Sequence, residues 1–173
     1  MKVTTLISQE EISNKVNELA LIISNDYAEK ELLVVGILKG SFVFMADLIR
    51  NLSIPCRCDF VKLSSYGKET VSSGEVKMDL DISSRVEGEN VLVVEDIVDT
   101  GLTLSKLKEI LASRQPASLR VCAFLDKSSR RKVPVEIDYR GFEIPDKFVV
   151  GYGLDCDEQF RYLPYVGIIE EDS

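Results

Sequence analysis

Two patterns of apolar residues take turns along this chain. Unbroken apolar runs at 32–37 and 91–94 are too short for helices and read as strands buried on both faces. Each is followed by a polar stretch and then by apolar residues three or four apart: Phe42, Met45 and Ile49 on one side of a helix after the first run, and Leu104, Leu107 and Leu111 after the second, with Pro116 ending that helix. Residues 58–63, 119–125 and 148–150 read as further strands, and 95–103 as a polar loop. Near the start, Ser8 and Glu11 form a capping box ahead of Ile12, Val16, Leu19 and Ile23, which share a helical face. Strands alternating with helices predict an α/β fold, a mainly parallel twisted sheet flanked by helices, whose ligands bind beyond the carboxyl ends of the strands.

Two segments break the rhythm. Residues 64–77 are small and polar, as a mobile lid is. The tail from 141 to 173 carries Pro145, Pro164 and the rings of Tyr152, Phe160, Tyr162 and Tyr165 with little helical period, and is expected to form a small flap over the crevice. At 173 residues the chain has room for one domain, with a core of about 8–140 and a hood from 141–173 and the extreme N-terminus.

Composition narrows the chemistry. A net charge of −8 opposes a nucleic-acid partner without a local basic patch. The longest apolar runs fall far short of a membrane span, and the N-terminus lacks the apolar core of a signal peptide, so a cytoplasmic location is expected. Four cysteines, none in a C-x-x-C pair, read as reduced thiols. There is no histidine, which excludes Ser-His-Asp and Cys-His hydrolases and histidine-ligated zinc, and leaves a carboxylate, lysine, tyrosine or thiol as any general base. Oxygen-ligated magnesium stays open.

The chemistry concentrates at 91–103. An apolar strand emerges into Glu95 and Asp96, and then Asp99, Thr100, Gly101, Leu102 and Thr103 lead into a helix. Free amides at a helix start bind phosphate, whereas paired carboxylates repel it and suit a sugar diol or a hydrated cation. One short loop therefore recognises phosphate and hydroxyls together, as in a ribose 5-phosphate. The other phosphate loops, G-x-x-x-x-G-K-[ST] and G-x-G-x-x-G, are absent.

This segment is similar to the phosphoribosyl diphosphate (PRPP) signature of the type I phosphoribosyltransferases, and its surroundings resemble those of the hypoxanthine-guanine phosphoribosyltransferases. The resemblance runs from about Val35 to Ile169 through Leu38-Lys39-Gly40-Ser41, Ser64-Ser65-Tyr66-Gly67, Leu125-Asp126-Lys127 and the stretch from Phe148 to Asp155. It implies a magnesium-dependent enzyme of purine salvage that joins hypoxanthine or guanine to PRPP, in a dimer or tetramer.

By that resemblance Glu95 and Asp96 hold the ribose hydroxyls, Asp99 to Thr103 cradle the 5-phosphate with Leu102 giving only its amide, and Asp99 takes the proton from purine N7. Lys39 and Gly40 match a diphosphate loop with a cis peptide, and Arg131 and Arg161 match diphosphate-binding arginines. Lys127 would donate to the purine 6-oxygen, Phe148 stack on the ring and the Val149 backbone read the pairing edge. Asp155, with Glu95 and Asp96, would support magnesium diphosphate, and Ser65 and Tyr66 would open the lid. Two rivals remain: a regulatory protein that keeps the PRPP fold and binds nucleic acid, which the acidic charge disfavours, and a relative specific for xanthine or a pyrimidine.

Overall fold

Burial on both sides of the apolar runs organises the molecule. The computed structural model of the chain describes residues 1–65 and 75–170. In order, its elements are β1 (Lys2–Ile7), α1 (Gln9–Asp26), β2 (Leu32–Leu38), α2 (Phe42–Asn51), β3 (Cys56–Ser65), β4 (Val76–Leu80), β5 (Asn90–Val98), α3 (Leu102–Ala112), β6 (Ser118–Asp126), β7 (Tyr139–Glu143), β8 (Val149–Val150) and β9 (Val166–Glu170).

Six strands form the main sheet in the order β4-β3-β2-β5-β6-β7, with only the β3–β4 pair antiparallel. Successive strand residues face opposite sides, which splits each apolar run between two cores. Leu32, Val34, Leu92, Val94, Cys122 and Phe124 pack with α1 and α2. Leu33, Val35, Val91, Val93, Val121 and Ala123 pack with Leu104, Leu107 and Leu111 of α3 on the other side. Each such leucine, fully buried, contributes about 2 kcal/mol.

Helix α1 begins at the expected capping box: the Glu11 amide donates to Ser8 Oγ at 3.2 Å, and the Ser8 amide to Glu11 Oε2 at 2.8 Å. The face of α2 differs from expectation. Phe44, Met45 and Leu48 are its buried residues, while Phe42 is 44% exposed. Phe42 is the first residue of the helix, where the chain is still turning out of the crevice loop.

Strand β5 also runs past the expected break at Glu95. Its pairing with β6 continues through Ile97↔Leu125 and Val98↔Asp126, so Glu95 and Asp96 sit on the strand, and only residues 99–101 form the loop. The expected strand at 148–150 belongs to another sheet: β1, β9 and β8 form a separate antiparallel layer, the hood, that joins the N-terminus to the tail. Tyr152 anchors this layer, with its ring 4.9 Å from that of Phe124 and its hydroxyl donating to Asp47 of α2.

Behind the sheet, Arg114 fastens the end of α3 to the segment after β4 by a two-pronged pair, Nη1 and Nη2 each 2.8 Å from an oxygen of Asp81. Hydrogen bonding by Arg114 holds the Asp81 carboxyl below its ordinary value of 3.8. Folding therefore lowers the affinity of Asp81 for a proton, and the stability this supplies is present above that value and lost as acid titrates the group. Asp81→Asn is expected to lower the urea midpoint at pH 7 by the equivalent of about 0.5–1 kcal/mol, as suits a half-exposed pair. That difference closes as the pH falls through and below 3.8.

Candidate active site

The sheet changes direction between β2 and β5. Strand β2 leads through α2 to β3 on one side, and β5 leads through α3 to β6 on the other. The loops that follow these two strands part from each other and leave a crevice, the switch point where doubly wound sheets bind ligands.

On the β5 side, Glu95, Asp96, Asp99, Thr100, Gly101 and Thr103 line a cavity of about 210 Å³. Gly101 caps α3 with φ +85°, and a Cβ there would come 2.9 Å from Arg131 Cδ and 3.1 Å from the Val133 carbonyl. Only glycine makes that left-handed turn in so little space. The Leu102 amide lies 3.4 Å from Thr100 Oγ1, while the amides of Thr103 and Leu104, in the first turn, have no intrahelical acceptor. The loop is held from behind, since the Thr100 carbonyl accepts from the amides of Lys132 and Val133 at 2.9 and 3.3 Å.

Burial, and then the negative charge of Asp96, push the Glu95 carboxyl well above the ordinary carboxylate range. Asp96 leans onto the β2 side: a Cβ on Gly40 would lie 1.6 Å from Asp96 Oδ2, so only a residue without a side chain fits beneath that carboxylate. The Leu38–Lys39 peptide just before it is cis.

Asp99 faces Arg130, whose Nε is 2.8 Å from Asp99 Oδ1. Sequence reasoning favoured Arg131 over its neighbours for the diphosphate, and the structure gives that arginine other partners. Arg131 Nε donates to the Asp99 carbonyl at 3.2 Å and its Nη2 to Asp126, a carboxylate 3% exposed that Arg140 also pairs at 3.3 Å. Arg131 thus ties the carboxyl end of β6 to the loop after β5. Neither Asp126 nor Arg130 was given a role from sequence: Asp126 meets Arg131 only five residues on, but through the turn after β6, and Arg130 meets Asp99 from another loop.

Lys127, directly after β6, is 8% exposed, and its ammonium has no hydrogen-bond or ion-pair partner among the described residues. Its backbone amide donates to the Val98 carbonyl at 2.9 Å, which sets the lysine beside the loop after β5. Phe148 is 58% exposed, a ring open to stacking. Strand β8 is a sheet edge, and the Ile169 amide donates to the Phe148 carbonyl at 3.3 Å. By the alternation of antiparallel ladders, the Val149 N–H and C=O then face away from β9.

The hood brings the remaining residues to the β2 side. Arg161 Nη1 donates to the Gly153 carbonyl at 2.7 Å, and its Nη2 lies 3.2 Å from Asp155 Oδ1. Lys39 Nζ pairs with Glu158 at 2.8 Å. Because Arg161 and the Glu158 amide take up the Asp155 carboxylate, Glu95, Asp96 and Asp155 are not gathered into one cluster, and no set of three metal-binding side chains occurs among the described residues. The two acids on β5 still fit magnesium, which keeps its waters and needs only one or two carboxylates besides substrate phosphates. Of the lid expected at 64–77, the described ends are strand, Ser64 and Ser65 of β3 pairing with Lys77 and Val76 of β4; Tyr66 and the rest, through residue 74, lie outside the described residues. A larger cavity, about 990 Å³, lies between α1, α2 and the hood; it shares Arg161 and Glu158 with this site but none of the residues of the β5 loop.

Comparison with known proteins agrees with this geometry. Residues 3–157 match the phosphoribosyl transferase domain. The chain is 48% identical to the hypoxanthine-guanine phosphoribosyltransferase of Bacillus subtilis over 165 residues, 95% of this chain and 92% of that one. It is 45% identical to the hypoxanthine phosphoribosyltransferase of Haemophilus influenzae, over 98% of this chain and 97% of that one. A crystal structure of a hypoxanthine-guanine phosphoribosyltransferase from Bacillus anthracis, 48% identical, superposes with a TM-score of 0.94 over 98% of this chain and 100% of that one. The chain belongs to the phosphoribosyltransferase family. Its α/β fold, with a mostly parallel sheet between helices, is the type I fold of that family.

Proposed function

We propose that this chain carries out purine salvage by moving the 5-phosphoribosyl group of PRPP to N9 of hypoxanthine or guanine, giving IMP or GMP and diphosphate. The observation that supports this is the cavity lined by Glu95, Asp96 and the loop from Asp99 into α3, with the largely buried Lys127 held beside it by its backbone amide on the Val98 carbonyl. The loop from Asp99 to Thr103 grips the 5-phosphate, and Glu95 and Asp96 hold the ribose hydroxyls. Lys39, the Gly40 amide and Arg161 receive the diphosphate, while Arg131 braces the loop. Asp96 and Glu95 would hold magnesium, with Asp155 supporting it from the hood through Arg161, and the ion would neutralise charge on the leaving diphosphate.

The purine binds with its ring on Phe148, its pairing edge on the Val149 backbone and its 6-oxygen on Lys127. Asp99 accepts the proton from N7 as N9 bonds to C1 of the sugar and the C1–O bond breaks, its electron pair leaving with the diphosphate, so that charge developing on the ring is met by groups already in place. Water is held off by the segment that Ser65 and Tyr66 begin.

The four free cysteines favour a reducing, cytoplasmic setting. No helix among the described residues is long and apolar enough to cross a membrane. The exposed rings of Phe42 and Tyr162 beside the larger cavity favour association of copies into a dimer or tetramer.

The test is to mix the protein with PRPP, magnesium and each of hypoxanthine, guanine, xanthine and adenine, and assay nucleotide. Product from hypoxanthine or guanine and none from adenine is the expected result. Absence of product from every base overturns the assignment.

A further inference from the structure

The two cations that the proposed function assigns to diphosphate already hold an anion. Glu158 Oε2 lies 2.8 Å from Lys39 Nζ, and its Oε1 lies 3.4 Å from Arg161 Nη2, so each carboxylate oxygen serves one cation. No local packing holds the side chain there, since it is 64% exposed. Hydrogen bonding from Lys39 holds its carboxyl below the ordinary range, which keeps it ionised at neutral pH.

The backbone beneath it is an unusual choice for a glutamate. Cys156 and Gln159 exchange amide-to-carbonyl hydrogen bonds at 3.1 and 3.0 Å around a two-residue turn. Asp157 and Glu158 fill that turn with φ of 50° and 63°. Such turns favour asparagine followed by glycine, because both central residues take left-handed angles. A glutamate in the glycine position is unfavourable for the backbone alone. What the position gives in return is reach: it carries a carboxylate across to Lys39, which is 119 residues away in sequence.

We propose that Glu158 is a resident anion of the diphosphate subsite, which occupies and spaces Lys39 and Arg161 in the free chain and gives way to diphosphate oxygens when substrate or product binds. The inference rests on the assignment of Lys39 and Arg161 above. Half-exposed pairs of this kind are weak, so a polyanion carrying several charges displaces the carboxylate readily. The consequence is a deliberately moderate hold on the leaving group: part of the attraction for diphosphate is spent on expelling Glu158, and the same carboxylate recaptures the cations as product departs.

Glu158→Gln keeps the shape and removes the competing charge. Calorimetry with magnesium diphosphate is expected to give a dissociation constant about threefold to tenfold lower in E158Q than in the parent, with the product-inhibition constant shifted alike. Glu158→Ala should move both in the same direction. In a Lys39→Gln background the gain from E158Q should shrink, because one of the two cations it competes for is gone. Unchanged or weaker diphosphate binding in both E158Q and E158A overturns the proposal and makes the glutamate a simple brace for the cations. Failure of the parent itself to bind diphosphate refutes the assigned function instead, so the two failures are told apart.

Discussion

Asp99→Ala lowers turnover about 10²–10⁴-fold, the usual contribution of a positioned general base, while the dissociation constant for magnesium PRPP changes by less than about threefold. The asymmetry follows from how the residue is held. Its carbonyl accepts from Arg131 Nε at 3.2 Å, a contact the alanine keeps, so the loop retains its brace. Among the described residues its carboxylate pairs with Arg130 alone, at 2.8 Å and with both side chains more than 40% exposed. An exposed pair contributes a few tenths to about 1 kcal/mol, so its loss cannot mimic the loss of a base. The same weakness lets Asp99 leave Arg130 and turn to a purine at little cost. With no histidine in the chain, no imidazole stands by to replace it. Single-turnover rates and calorimetry on D99A and on the isosteric D99N separate the two effects: full activity in either removes Asp99 from this role, and a collapse of PRPP affinity makes it a binding group.

How much of this was legible beforehand depends on how local the signal is. Strands β2, β5 and β6 were readable because residues such as Val91 to Val94 are buried on both faces and leave an unbroken apolar run. The turn at 99–101 into α3 was readable because its polar residues lie together in sequence between an apolar run and a helical pattern. The end of β5 was misplaced because Glu95 and Asp96 are polar, and only pairing with β6 carries the strand through them. Strands β1, β4 and β7 passed unnoticed: each is five or six residues long with several polar positions, and the order of each comes from its partner in the sheet. The tail and the extreme N-terminus were expected to form a hood together, but the register that pairs β9 with β1 over Val3↔Ile169 is one no local pattern announces.

Side-chain partners follow the same rule. Nothing near Arg131 in sequence indicates that Asp126 and the Asp99 carbonyl will occupy its guanidinium, and nothing near Glu158 points to Lys39. The residues that touch ligand in the proposed site were accessible through motif order. The contacts of Arg130 with Asp99 and of Glu158 with Lys39 became visible only when the fold brought distant segments together, while Asp126 meets Arg131 across a turn of five residues.

Lys127→Ala lowers kcat/KM for hypoxanthine by about 10²-fold, the value of one hydrogen bond from a charged donor, and leaves the affinity for magnesium PRPP unmoved. The Lys127 residue is 8% exposed at the carboxyl end of β6, and its ammonium has no partner among the described residues. Such a group awaits an acceptor, and a 6-oxo purine brings one where adenine brings an amino group. Binding adenine there would leave the donor unpaired and set a second donor against it, which is how polar sites reject near-isosteres strongly. Lys127→Met adds the control that separates function from structure, because it fills the same volume and removes the charge. If the lysine is there for the purine, the methionine variant melts at or above the temperature of the parent while losing its preference for hypoxanthine. If the lysine is a structural member of the β6 end, melting temperature and activity fall together. Retention of the full preference for hypoxanthine over adenine in both variants would move base recognition off Lys127 and onto the edge of β8.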